Sequence, residues 1–296
     1  MADIAATSSD EFSYKRIGVK PLAGALGAEI QGVDIAAGLD AEAQDEIHRA
    51  WLEHQVIYFR DQRMTPDDQV AFAKRFGEIH LHLFNKAMDD HPEITELLKT
   101  PEMRYNAGGR WHSDQMYTPK PAKMTMLYAR EIPEGRGDTM FSNMYLGHET
   151  LSEGMKASLQ GLRAVHNGDS KNHPTGKTRA ERVQDGTIHL PQIDPGKQQT
   201  ISSHPVIRTH PETGRKLLYI GGHTERFDGW TEAESKPLLD YLKAHATRPE
   251  FTCRLHWAEN TLTMWDNRCC QHFAINDYDG YQRRMHKIMV KGDAPF

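Results

Sequence analysis

Apolar positions in this chain fall mostly into short runs. Between residues 16 and 35 glycines break them up: Gly24-Ala25-Leu26-Gly27-Ala28-Glu29-Ile30, then Gly32-Val33-Asp34. Runs so short, closed by glycine, predict strands joined by tight turns. From Asp40 to His54 the spacing changes to that of a helix, with Ile47 and Trp51 four apart. Val56-Ile57-Tyr58-Phe59 predicts a buried strand. Thr65-Pro66-Asp67-Asp68 is a helix start, with a capping hydroxyl, a proline at the first position and acids in the first turn. That helix carries Phe72 and Phe76 and stops at Gly77. Thr231-Glu232-Ala233-Glu234 is a capping box opening a second long helix through Leu238, Leu239 and Leu242. Phe251, Cys253, Leu255 and Trp257 alternate with polar residues, as on a half-buried strand. Leu262 to Trp265 and His286 to Val290 read as further strands, and Asp266-Asn267 begins a turn. The pattern predicts a mainly β, α+β chain. Its expected core is a double-stranded β-helix, or jelly roll, with flanking helices. Residues 85–110 show no clear period. Residues 167–200 are polar and rich in Gly, Pro, Lys and Gln, which predicts a lid or insertion.

Composition narrows the classes. Of 296 residues, 38% are apolar and 26% charged, as in ordinary globular proteins. A net charge of −5 with no basic block argues against nucleic acid as a partner. Cys253, Cys269 and Cys270 are an odd set with no Cys-x-x-Cys, which suits a reducing cytoplasm and excludes a zinc site of that type. No apolar run is long enough to span a membrane. Residues 1–12 are small and polar and read as a disordered terminus. Residues 13–296 are expected to form one domain, assembled as a dimer or tetramer.

Trp111-His112-Ser113-Asp114 carries the first chemistry. If this stretch is extended, the imidazole and the carboxylate leave the same face. They give a metal two ligands, and a third must come from elsewhere. With 17 histidines in the chain, a His-x-Asp triplet is expected about once by chance, so context decides. That context is Gly137-Asp138-Thr139, then Trp265-Asp266-Asn267-Arg268 leading into Gln271-His272, then Arg283 eleven residues on.

Together these motifs resemble the taurine dioxygenase family of Fe(II)/2-oxoglutarate-dependent dioxygenases, which also includes aryloxyalkanoate herbicide dioxygenases. The likeness runs from Gly24–Asp34 through Phe76-Gly77-Glu78 to Met285-His286. It implies that His112, Asp114 and His272 hold Fe(II), and that Thr139 and Arg283 hold the distal carboxylate of 2-oxoglutarate. It also implies that His82 contacts the substrate's anionic group. The chemistry agrees. A metal that must bind two oxygens of 2-oxoglutarate and O2 needs three open positions, which a three-ligand protein site leaves. A guanidinium grips a carboxylate with two parallel bonds, and a threonine hydroxyl adds a donor.

One position departs from the taurine enzyme. Fifteen residues after the second iron-binding histidine that enzyme has an arginine on the sulfonate; here it is Lys287. The charge is kept and the planar fork lost, which keeps an anionic substrate and speaks against taurine itself. Residues 221–230 also differ from the taurine enzyme's loop. The expected activity is hydroxylation of a small organic anion (a sulfonate, sulfate ester or aryloxyalkanoate), with release of succinate and CO2. Two other readings stay open at this point: a small-acid-binding protein with a vestigial site, and a zinc hydrolase on the same three ligands. His80, His204, His210, His223 and His256 read as satisfied or exposed rather than ligating. Cys269 and Cys270 are expected to pack near a strand end, and Trp111 and Trp265 to belong to the core.

Overall fold

The computed structural model describes residues 13–81, 87–103, 108–170, 176–185 and 200–296. The chain opens with β1 (Gly18–Pro21) and β2 (Ala28–Gln31), then α1 (Ala41–His54), β3 (Val56–Phe59), α2 (Pro66–Lys74) and β4 (Thr95–Lys99). There follow β5 (Met124–Glu131), β6 (Thr139–Asn143), two short helices α3 (Met144–Glu149) and α4 (Glu153–Leu159), β7 (Arg163–Asn167) and α5 (Arg179–Gln184). The last third holds β8 (Ile201–Pro205), β9 (Ile207–Thr209), β10 (Lys216–Leu218), β11 (Thr224–Phe227) and α6 (Glu232–Ala246). It closes with β12 (Thr252–Leu255), β13 (Leu262–Asp266), β14 (Cys270–Ala274) and β15 (Arg283–Val290).

The caps read at Thr65 and Thr231 form as expected, and α1 gains one the spacing alone did not show. Asp40 caps α1 by accepting from the Ala43 N–H, and both Thr65 and Thr231 close capping boxes. Gly77, at φ +139, follows α2. The sheets explain the strand patterns. Seven strands run in the order β1-β2-β3-β13-β5-β15-β4, and a second sheet runs β12-β6-β14. Side chains of the large sheet alternate between two cores. Val56, Tyr58, Leu127, Ala129 and Met285 join one cluster with Phe141, Leu255 and Trp257 of the second sheet. Ile57, Phe59, Met126, Tyr128, Met264 and Ile288 join another with Ile47 and Trp51 of α1 and Phe72 of α2. The large sheet is therefore buried on both faces, which is why β3 reads as a continuous apolar run. The expected mainly β, two-sheet core with flanking helices is what forms.

Three expectations need correction or limits. The unpatterned stretch 85–110 contains β4, paired to β15 in register from Thr95↔Lys287 to Lys99↔Arg283. The last strand begins at Arg283, three residues before its apolar stretch, because Arg283 is buried between the sheets. Of the expected lid, 171–175 and 186–199 lie outside the described residues; Asn167–Ser170 and α5 are what is described.

Candidate active site

His112-Ser113-Asp114 is not a strand. His112 makes a single antiparallel bridge to His272 of β14, and a turn begins at Asp114. The bridge is two-way: the His112 N–H donates to the His272 carbonyl at 3.1 Å, and the His272 N–H returns to His112 at 2.8 Å. Ser113 Oγ donates to the Cys270 carbonyl at 2.6 Å. Gln115 sits at φ +51, a left-handed conformation that turns the chain sharply after the carboxylate. The turn does what the extended reading assigned to strand alternation, bringing His112 and Asp114 to one place.

There His272 joins them. One ligand atom from each of His112, Asp114 and His272 lies within 4.8 Å of the others, and the two imidazole rings are 4.1 Å apart. His112 Nδ1 bonds the Arg110 carbonyl at 2.7 Å, which leaves Nε2 for a metal. Burial depresses the pKa of both imidazoles, against the pull of Asp114; His272, with His112 also lowering it, is shifted the further. They stay neutral, as ligands must. Burial alone would raise the carboxyl of Asp114; Lys287, beside it, overrides this and holds it well below the usual range. Asp114 is also placed by its neighbours. Oδ2 accepts from Thr125 Oγ1 at 2.6 Å, and Thr125 Oγ1 accepts from Asn267 Nδ2 at 2.8 Å. Asn267 Oδ1 in turn accepts the Asp114 N–H and the Trp265 indole N–H. Two neutral imidazoles and one carboxylate suit Fe(II).

The expected 2-oxoglutarate residues lie along the same inner faces. Phe141 of β6 pairs with His272, and Thr139 stands two residues before it, on the same face. Trp257 Nε1 donates to Thr139 Oγ1 at 3.0 Å, leaving that hydroxyl's own hydrogen to be donated elsewhere. Arg283 is 8% exposed, its Nε has no partner, and Gly137 O is 3.4 Å from Nη2. Among the described residues no carboxylate pairs with it. A buried guanidinium without an anion is costly, and the carboxylate of a bound diacid would complete it. Gly137 is required here: it sits at φ +69, and a Cβ would come within 3.0 Å of Arg283 Nε.

Lys287 lies four residues past Arg283 on the same face of β15, its Nζ 2.7 Å from Asp114 Oδ1. His82 lies outside the described residues. The five histidines set aside are all outside the trio. His204 bonds the Thr118 carbonyl, His256 the buried Asp138, and His80 the Gln115 amide. His210 forms a second compact group with Asp266 and Cys269. Asp266 accepts from Arg268 on both oxygens, at 2.8 and 2.6 Å, and from His210 at 3.0 Å, which makes this group a buried ion-pair network. Cys269 and Cys270 are buried at the start of β14, as expected, and Trp265 is core. His223, set aside as satisfied, lies with Nδ1 3.0 Å from Arg110 Nη2. Buried at 7% exposure, it packs its ring 5.9 Å from that of His112. The signal of that placement was Gly221-Gly222 before it: a Cβ on Gly222 would meet the Trp111 carbonyl at 2.7 Å, so only glycine lets this loop close on the site.

A family model described as "Taurine catabolism dioxygenase TauD, TfdA family" matches residues 18–289. The chain belongs to this family. It is 34% identical to an alkylsulfatase of Acinetobacter baylyi over 285 residues, covering 94% of this chain and 86% of that protein. It is 31% identical to an alpha-ketoglutarate-dependent sulfate ester dioxygenase of Pseudomonas putida, covering 94% and 90% of the two chains. A taurine dioxygenase from Burkholderia xenovorans superposes with a TM-score of 0.78 at 33% identity, over 95% of this chain and 91% of that one. The core is thus the jelly roll of these dioxygenases, and the protein is an oxidoreductase that uses Fe(II), 2-oxoglutarate and O2. No helix among the described residues is long and apolar enough to cross a membrane.

Proposed function

We propose that this dioxygenase hydroxylates a small organic anion, with sulfate esters ahead of sulfonates and aryloxyalkanoates. In this reading His112, Asp114 and His272 hold the iron, and Thr139 and Arg283 hold the far carboxylate of 2-oxoglutarate. Lys287, with His82, receives the substrate's anionic group. The observation that carries the reading is the run Arg283, Met285, Lys287 along one face of β15, beside the metal trio. It sets an anion-gripping fork at one end and, roughly 13 Å of strand further on at about 3.3 Å per residue, a lysine whose ammonium lies against Asp114. The preference for sulfate esters rests on the names of the two relatives. When bound, iron and 2-oxoglutarate supply oxidation of a substrate C–H bond, with release of succinate and CO2. The chain's own residues supply placement: Thr125 and Asn267 fix Asp114, Arg283 fixes the co-substrate's direction, and Lys287 fixes the substrate's charged end. A carbon bearing the ester oxygen collapses to a carbonyl once hydroxylated and frees the sulfate. A cytoplasmic location, supported by three free buried thiols, and a dimeric or tetrameric assembly belong to the same proposal.

The test is a panel of sulfate esters, sulfonates and aryloxy acids scored by succinate release. One anionic class should stand out. Lys287→Met should then raise its KM tenfold or more, on the order expected for a lost charged contact, with the KM for 2-oxoglutarate little changed. Equal turnover of uncharged analogues would sink the anionic substrate. Both constants staying within about two-fold would remove Lys287 from that role.

A further inference from the structure

The signature that marks Arg283 recurs once more among the buried arginines. Arg208 of β9 is 1% exposed, its Nε has no partner, and among the described residues no carboxylate pairs with it. The Tyr219 ring lies 4.8 Å from the guanidinium carbon and takes part of the charge on its face, but the Tyr219 hydroxyl is itself buried without a partner. His166 of β7 is fully buried with Nε2 unpartnered, and Ser202, directly across from it in β8, has a buried unpartnered hydroxyl. The rings of His166, His204 and Tyr219 stand 5.4, 5.8 and 5.9 Å apart pairwise, so these groups form one cluster.

Its lining is made of donors. Thr224 Oγ1 accepts the Gly221 N–H and lies 3.1 Å from His166 Nδ1; in the tautomer where Thr224 donates to Nδ1, the ring proton is on Nε2. Arg208 Nε–H, Tyr219 O–H, Ser202 O–H and His166 Nε2–H are then four donors without an acceptor. Most of the charges that bear on them are positive. Lys243 acts on His166, and Arg208 and Arg163 act on His204. The acid that reaches Tyr219, Asp266, is already committed to Arg268 and His210.

We propose that this cluster is a buried binding site for a single halide-sized anion such as chloride. A water molecule could accept some of these hydrogens but would leave the arginine charge uncompensated in a closed interior. An acceptor-only anion answers both needs. Among rings that stand 5.4 to 5.9 Å apart, a single-atom anion demands less space than a tetrahedral oxyanion. The site lies behind the active-site walls: His166 holds Thr224, next to His223, and His204 Nε2 bonds the Thr118 carbonyl at 2.9 Å, in the turn that follows Asp114. A bound anion would brace both.

The experiment needs neither iron nor 2-oxoglutarate, so its outcome is independent of the dioxygenase reading. Thermal unfolding of the whole protein is compared in sodium chloride and sodium gluconate at matched ionic strength, and crystals soaked in bromide are measured for anomalous scattering. The expected result is a saturable chloride-dependent rise in Tm of about a few degrees, with a bromide peak between Arg208 and Tyr219. Tyr219→Phe and Ser202→Ala each remove one donor and keep the packing; both should weaken the chloride dependence. Arg208→Met, if it folds, should abolish it. Equal midpoints in the two salts, or no anomalous peak at the cluster, would show that the site holds water only and overturn the proposal. So would a chloride dependence that the variants leave unchanged.

Discussion

Asp114 is fixed by three neighbours before any metal arrives: Thr125 on one oxygen, Lys287 on the other and Asn267 on its backbone N–H. Such partners set a ligand's orientation and typically govern metal affinity by about ten- to a hundred-fold. Asn267→Ala should therefore weaken Fe(II) or Mn(II) binding by roughly ten-fold or more, read by calorimetry under anaerobic conditions. An unchanged metal affinity would mean that Thr125 places the carboxylate alone. Arg283 makes the complementary case. Arg283→Lys keeps the charge but loses the fork, so the KM for 2-oxoglutarate should rise about ten- to a hundred-fold while metal affinity holds. The roles of these two residues differ in how visible they were. Arg283 draws notice in the sequence because its spacing from His272 fits a motif, and the structure buries it without a carboxylate partner among the described residues. Asn267 was read only as the start of a turn, since its work depends on Thr125 of β5, a contact 142 residues away in sequence.

Elements were legible where the chemistry that makes them is local. The starts of α1, α2 and α6 follow from side chains within three residues of the cap, and the structure keeps them. The His-x-Asp segment, read conditionally as extended, forms one antiparallel bridge at His112 rather than a strand, because its shape is set from outside, by that bridge to β14 and by the left-handed turn at Gln115. β4 was missed for the same reason: one short strand at a sheet edge, held by β15 alone, carries little pattern of its own. The turn into β6 is a sharper test of how an element serves the site. Gly137→Ala adds strain at a positive φ and pushes a methyl to 3.0 Å from Arg283 Nε. The variant should fold and bind metal, yet show a raised KM for 2-oxoglutarate. A KM equal to wild type would mean that Arg283 has room to move and is not held for the co-substrate.

At the scale of the whole molecule, one sheet buried on both faces joins two cores, and the active site lies on the side facing β12, β6 and β14. The sequence could show which residues are apolar, but not which of two cores each one enters; that requires the strand order. Burial on this scale also traps imidazoles. Burial is the first cause that pushes His204 and His286 down to about 4, and it holds His166 well below its usual value. The unfolded chain takes up these protons near pH 6.5 and the folded one does not. Stability is therefore full above that pH and is lost progressively as pH falls toward 4. Tm should drop over this range. His286→Leu, which replaces a ring lining an apolar cavity between Phe72, Met126 and Leu262, should flatten the slope. An identical pH slope in that variant would place the acid sensitivity elsewhere.

The central claim is that His112, Asp114 and His272 hold one iron, and that Arg283 presents 2-oxoglutarate to it. An anaerobic titration with Fe(II) and 2-oxoglutarate tests it most directly. A weak visible metal-to-ligand charge-transfer band should appear in the wild type, appear only at higher 2-oxoglutarate in Arg283→Lys, and be absent in His272→Ala. A band of full strength in folded His272→Ala, or none in the wild type, would contradict it.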